Sequence, residues 1–197
     1  MRKEEIREEH AVILKATKAL LYSYALSVLY QERKYLDSTL DFYREFYETF
    51  VLKCHNVKEE RISSLINFDD TVRDHPEIKK IALVVFADTT RIGELVVTMI
   101  NHIIEEENKW LNNISGDFKE IIEEVEKEIG EEVHKHYVKS VEELYSSIMS
   151  RFPILDILQV TPTTSKLIVM RFPPEKIFKL IRKAKIGNEL WVAEVGG

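Results

Sequence analysis

Apolar residues recur at helical spacing along most of the chain, and the pattern changes only after residue 152. A first helix is predicted over residues 4–30, where Ile6, His10, Ile13, Leu14, Thr17, Leu20, Leu21, Tyr24 and Val28 share one face. A second is predicted over 35–66, with Val51, Leu52, His55, Glu59, Ile62 and Ile66 on a common face. Residues 67–74 are rich in turn formers and read as a connection. A third helix starts near His75-Pro76, because proline is tolerated in a first helical turn, with Asp74 or His75 as its cap. A break around Ala87-Asp88-Thr89-Thr90 leads to a fourth helix over 91–112, carrying Ile92, Leu95, Met99, His102, Glu106 and Trp110 on one face. Short connections imply antiparallel neighbours, so residues 1–112 read as an up-down four-helix bundle.

Asn112-Asn113-Ile114-Ser115-Gly116 interrupts the periodicity. Asp117, with Glu120 three residues on, predicts a cap for one long amphipathic helix within 113–152. Its apolar face is Phe118, Ile121, Val125, Ile129, Val133, Tyr137, Val141, Leu144 and Ile148, with Gly130 as a candidate bend. Residues 154–161, 165–172 and 189–195 are strand-like and 174–185 helix-like, which predicts a small α+β appendage over 153–197. The expected class is mainly α.

Composition narrows the function. The chain of 197 residues is 45% hydrophobic and 31% charged, enough to bury a core. Its net charge of −6 argues against a dedicated nucleic-acid binder, which needs a basic surface to displace counterions. The single cysteine, Cys54, excludes an internal disulfide framework and a zinc site built on two thiolates of this chain. No apolar run approaches the roughly 20 residues needed to span a bilayer, and the first ten residues mix acids and bases unlike a signal peptide. A cytoplasmic setting without membrane contact is expected. Between 166 and 187 seven Lys/Arg residues accompany one acid, Glu175, a local basic patch that could engage an acidic partner or a phosphate-bearing ligand and otherwise reads as a solvated helix face. The small 153–197 unit would gain from docking on the bundle, on a protein partner or across a homodimer.

The histidines carry the candidate chemistry. Four of the six fall one to each predicted bundle helix: His10, His55, His75 and His102. His55 and His102 each have a glutamate four residues later, Glu59 and Glu106, a spacing that stacks both side chains on one face. Imidazole suits first-row metals, and a carboxylate can bridge two cations. Four histidines and two glutamates converging inside a bundle could hold two ions roughly 3.5–4 Å apart. Glu59 and Glu106 lie on apolar stripes, where an ionised carboxylate is costly unless paired or metal-bound. Taken singly, each histidine reads as well as a hydrogen-bonded core residue. His134 and His136 read as a solvated helix face, Cys54 as a small core residue, and Tyr24, Tyr43 and Tyr47 as packing groups.

Lys53-Cys54-His55-Asn56-Val57-Lys58-Glu59-Glu60 resembles the Lys-Cys-His-His-x-Lys-Glu-Glu stretch of hemerythrin-like, HHE cation-binding domains. Glu8-Glu9-His10 is similar to the first-helix start of that family, and His102-Ile103-Ile104-Glu105-Glu106-Glu107 to its fourth-helix motif. Asp74-His75 falls where the family has its third-helix histidine. The resemblance covers about residues 4–112. It implies two iron ions, or another first-row metal, held by His10, His55, Glu59, His75, His102 and Glu106, with the two glutamates bridging. It implies a small diatomic or peroxide ligand that is bound or sensed. An enzyme acting on peroxide, nitric oxide or ferrous iron, and a metal-free interaction module, are the alternatives. Asn56 stands where the family has a second histidine, and position 79 is lysine where oxygen carriers have another.

Overall fold

The computed structural model describes residues 3–68, 72–150, 158–161, 166–169 and 191–192, and it is mainly helical. Helix α1 (Lys3–Tyr30) is followed by α2 (Lys34–Phe46), which continues through a π-helical segment (Tyr47–His55) into α3 (Asn56–Ile66). Asn67, in the left-handed conformation at φ 51°, ends this rod. Asparagine tolerates that conformation better than most side chains. A 3-10 turn (Val72–Asp74) enters α4 (His75–Ala87). Asp88 is extended and accepts a hydrogen bond from the Thr90 N–H, which makes the predicted break before α5 (Ile92–Glu105). A second π-helical segment (Glu106–Trp110) carries α5 into α6 (Leu111–Asn113).

The single long helix expected after residue 117 is two helices, α7 (Lys119–Ile129) and α8 (Glu131–Met149). The divide is Gly130, at φ 92° and ψ 121°, a backbone conformation open to glycine and strained for any residue with a Cβ. Asp117 accepts from the Lys119 N–H, while Phe118 is the residue flanking α7. With the entry turn set this way, Ile122 is buried and Ile121 only partly so, one position from the expected face.

Helix α1 packs on α2, α5 and α8, α4 packs on α5, and α3 packs on α7. The apolar interior falls into two clusters. One gathers Ile13, Leu20, Phe46, Phe50, Val51, Ile78, Met99 and Ile103 with many others, and the second is Ile6, Ile62, Trp110, Leu111, Ile114 and Phe118. On α1 the residue between them is His10; on α3 it is Glu59; on the α5 rod it is Glu106. A polar layer thus interrupts the core at one level. Trp110 donates from Nε1 to Ser63 Oγ at 2.8 Å beneath it.

Three short strands pair as one sheet: β1 (Leu158–Thr161) antiparallel to β2 (Lys166–Val169), and β2 parallel to β3 (Trp191–Val192). They fall within the three segments read as strand-like. The helix expected over 174–185 and most of the basic patch lie outside the described residues. Among the described residues no helix is long and apolar enough to cross a membrane.

Candidate metal centre

All six residues singled out in the sequence meet in the polar layer, and all six are buried. His10 comes from α1, His55 from the end of the first π segment, Glu59 from α3, His75 from the first turn of α4, His102 from α5 and Glu106 from the second π segment. A proline at 76 favours an extended backbone at the preceding residue. Here α4 nevertheless begins at His75 with Pro76 in its first turn, and the His75 ring turns inward.

The two π segments sit at the ligands. The Asn56 N–H bonds back to the Val51 carbonyl, and the Leu111 N–H to the Glu106 carbonyl, both five residues earlier. Each such turn inserts one residue and rotates the following face by about 100° relative to the preceding one. Aromatic rings of Tyr43, Phe46 and Phe50 can therefore fill the core along α2 while His55 and Glu59 reach the polar layer.

The donors form two groups of four. His10, His55, Glu59 and Glu106 make one, and His75, His102, Glu59 and Glu106 make the other, with ligand atoms in each group within 4.8 Å of one another. One Glu59 oxygen lies 3.3 Å from both His10 Nε2 and His55 Nε2, and its other oxygen lies 3.4 Å from His75 Nε2. One Glu106 oxygen is 3.4 Å from His10 Nε2, and the other is 3.0 Å from His102 Nε2 and 3.7 Å from His75 Nε2. The His10 and His55 rings meet edge to face at 4.9 Å, as do His75 and His102 at 5.1 Å.

Among the described residues, several inward atoms have no hydrogen-bond partner: His55 Nε2, His75 Nε2, Glu59 Oε2 and both Glu106 carboxylate oxygens. Buried polar atoms are normally satisfied, and each orphan calls for a physical cause. Five orphans aimed at one space form a donor set that a cation could satisfy. The residues present fit a metal ion, and either group of four could hold one.

A second set of residues holds the imidazoles from behind. His10 Nδ1 is 2.8 Å from Glu107, His55 Nδ1 is 3.0 Å from Glu9, and His75 Nδ1 is 3.1 Å from Glu60. A carboxylate accepting from Nδ1–H leaves the Nε2 lone pair free for a metal and fixes the ring orientation. Glu9 is itself braced by the buried Lys58 ammonium and by His134 Nε2 at 3.0 Å, and Lys58 also donates to Glu126 at 2.7 Å. Arg7 donates to Glu107 at 3.1 Å. His134 is half-buried and stacks on Phe50, so it is not the solvated residue that the amphipathic pattern suggested. His136 is exposed as expected. Cys54, Glu9 and His134 also lie within 4.8 Å of one another, but the Lys58 ammonium already neutralises Glu9 there.

Charge in the layer is strongly coupled. Burial opposes the His75 imidazolium, yet Glu106 and Glu59 outweigh it and raise its pKa from 6.5 to about 10. Burial also opposes a charged His10, and Glu106, Glu107 and Glu59 overcome it in the same direction. For Glu106, burial pushes up, and His102, His10 and His75 together hold the carboxyl well below its usual range. Burial pushes the Cys54 thiol up to about 12, so it is not a ready nucleophile.

A small cavity of ≈ 10 Å³ adjoins the layer, lined by His55, Asn56 and His102 and by Ile13, Val51, Ile78, Met99 and Ile103. It has room for about one water-sized group. Glu9, Glu60 and Glu107 escaped the sequence reading, although each directly adjoins a predicted ligand in the chain. The Glu59-Glu60 and Glu106-Glu107 pairs were the available signal, because one glutamate of each pair turns inward and the other backs a neighbouring helix's histidine.

The chain matches no family model, no curated protein and no solved structure. The helical structure and its buried histidine–glutamate clusters are compatible with a hemerythrin-like domain.

Proposed function

We propose that the chain is a hemerythrin-like, non-haem di-iron protein that binds or senses oxygen or another small oxidant. In this reading residues 1–112 are a four-helix bundle that holds the metals, 113–152 buttress it, and 153–197 serve an interaction with a partner or a second copy. The observation that carries the reading is the sharing of Glu59 and Glu106 between two pairs of imidazoles, with Glu59 Oε2 and both Glu106 oxygens lacking a hydrogen-bond partner among the described residues. A single ion would use one pair and leave the other orphaned.

When bound, two iron ions supply reversible redox chemistry at coordination positions left open by the protein. The chain's own residues set the conditions for it. His10, His55, His75 and His102 present Nε2 to the layer, and Glu59 and Glu106 offset the cationic charge without exposure to water. Glu9, Glu60 and Glu107 keep three of the rings in orientation. The apolar walls of the cavity admit a small uncharged molecule and disfavour bulk water.

Oxygen titration of protein loaded with ferrous iron under nitrogen tests this function. Oxygen that is taken up and recovered intact under low pressure, or a ligand-dependent spectrum without turnover, is expected. Rapid multiple-turnover consumption of peroxide would assign the centre to an enzyme instead.

A further inference from the structure

We infer that the two cation positions are unequal: the His10–His55 position is the tight one and the His75–His102 position the exchangeable one. This rests on the reading that the centre takes a pair of cations. The four imidazoles are not held alike. His10 is backed by Glu107, 12% exposed and braced by Arg7. His55 is backed by the buried Glu9, which Lys58 and His134 clamp from two further helical segments. On the other side His75 is backed by Glu60, which is 54% exposed. His102 Nδ1 is buried with no hydrogen-bond partner among the described residues.

The difference matters when a cation binds. A neutral imidazole that gives its Nε2 lone pair to a metal keeps its proton on Nδ1. At His10 and His55 that N–H finds a carboxylate already in place. At His102 it has no acceptor, so loading leaves a buried donor unpaired. Outer partners of ligating histidines commonly contribute 10–100-fold in metal affinity. Glu60, the carboxylate behind His75, lines a surface groove with Val57, Arg61, Ser64, Leu65 and Ile121 and is open to water.

The test is an anaerobic titration of the metal-stripped full chain with ferrous iron, followed by brief chelation and metal analysis. Two binding steps at least about tenfold apart are expected, with one ion surviving the chelator. His75→Ala should keep one ion at the tight constant, whereas His55→Ala should keep only a weak one. Glu9→Gln should weaken the tight step by about 10–100-fold, while Glu60→Gln leaves it unchanged. Circular dichroism of each metal-free variant checks folding, and if His55→Ala does not fold, the wild-type steps and Glu9→Gln decide. Two equal steps overturn the inequality, and a tight ion that survives His55→Ala and is lost in His75→Ala overturns its assignment to the His10–His55 position, while in both cases the two-cation reading stands. A folded wild-type chain that takes up no iron overturns both.

Discussion

Glu59 and Glu106 share the same two imidazoles: one oxygen of each approaches His10 Nε2, at 3.3 and 3.4 Å, and the other approaches His75 Nε2, at 3.4 and 3.7 Å. A carboxylate placed this way serves both halves of the centre. Glu59→Ala or Glu106→Ala should therefore strip both ions, while His134→Ala, which removes contacts to Glu9 and Phe50 and none of the six donors, should retain most of the metal. Metal analysis of the three purified variants checks this. Equal content in all three contradicts the ligand assignment.

Metal uptake should release protons. In the metal-free protein His75 holds its proton up to about pH 10, and His10 is raised in the same direction. A cation needs the neutral ring, so at pH 7.5 its binding should expel about one to two protons per chain. Calorimetric titration in buffers of different ionisation enthalpy measures the number, and heats independent of buffer would contradict it. The sign for stability follows from the same shift: the His75 pairing contributes in full to the metal-free fold below pH 6.5 and is lost as pH rises through about 10.

Lys58 is 0% exposed between Glu9 and Glu126. Lys58→Met leaves the buried Glu9 carboxylate without its ammonium, a defect that typically costs about 3–5 kcal/mol. For a chain of this size that lowers the melting temperature by roughly 6–20 °C. The exposed pair of Lys109 and Glu105 is the control, and Lys109→Met should cost less than about 1 kcal/mol. Thermal unfolding of both variants decides, and similar losses in the two would rule out the buried role of Lys58.

Two stacked tyrosines should respond in opposite ways. Tyr43 Oη is 3.1 Å from Thr17 Oγ1, whereas the buried Tyr47 hydroxyl has no partner among the described residues. Tyr43→Phe should cost about 1 kcal/mol, and Tyr47→Phe should be neutral or stabilising. Denaturant unfolding tests the pair. A large loss for Tyr47→Phe would mean that its hydroxyl has a task beyond packing.

Much of the arrangement was legible because burial and helical period speak together. His55 with Glu59, and His102 with Glu106, sit four apart on apolar stripes, and that alone aims each pair at the interior. The helix ends at residues 30 and 66 and the start at His75 were also readable, from turn formers and from Pro76. The π segments were not, since one extra residue in a turn leaves the local pattern of apolar residues nearly unchanged. Nor was the contact of His134 with Glu9, whose partners are 125 residues apart on a face that looks solvated in isolation. The division at Gly130 was visible as a weak point but not as an end, because the apolar stripe continues on both sides of it. The outer carboxylates were hidden by abundance: the Glu59-Glu60 and Glu106-Glu107 pairs are a weak signal in a glutamate-rich chain, where adjacent glutamates also occur on solvated faces.

The most direct test of the centre is the iron-to-protein ratio of the full chain after anaerobic loading with ferrous iron and desalting. Two irons per chain are predicted, falling to none when Glu59 and Glu106 are both alanine. A folded wild-type chain that retains no iron, or a double variant that retains as much as the wild type, would contradict the account.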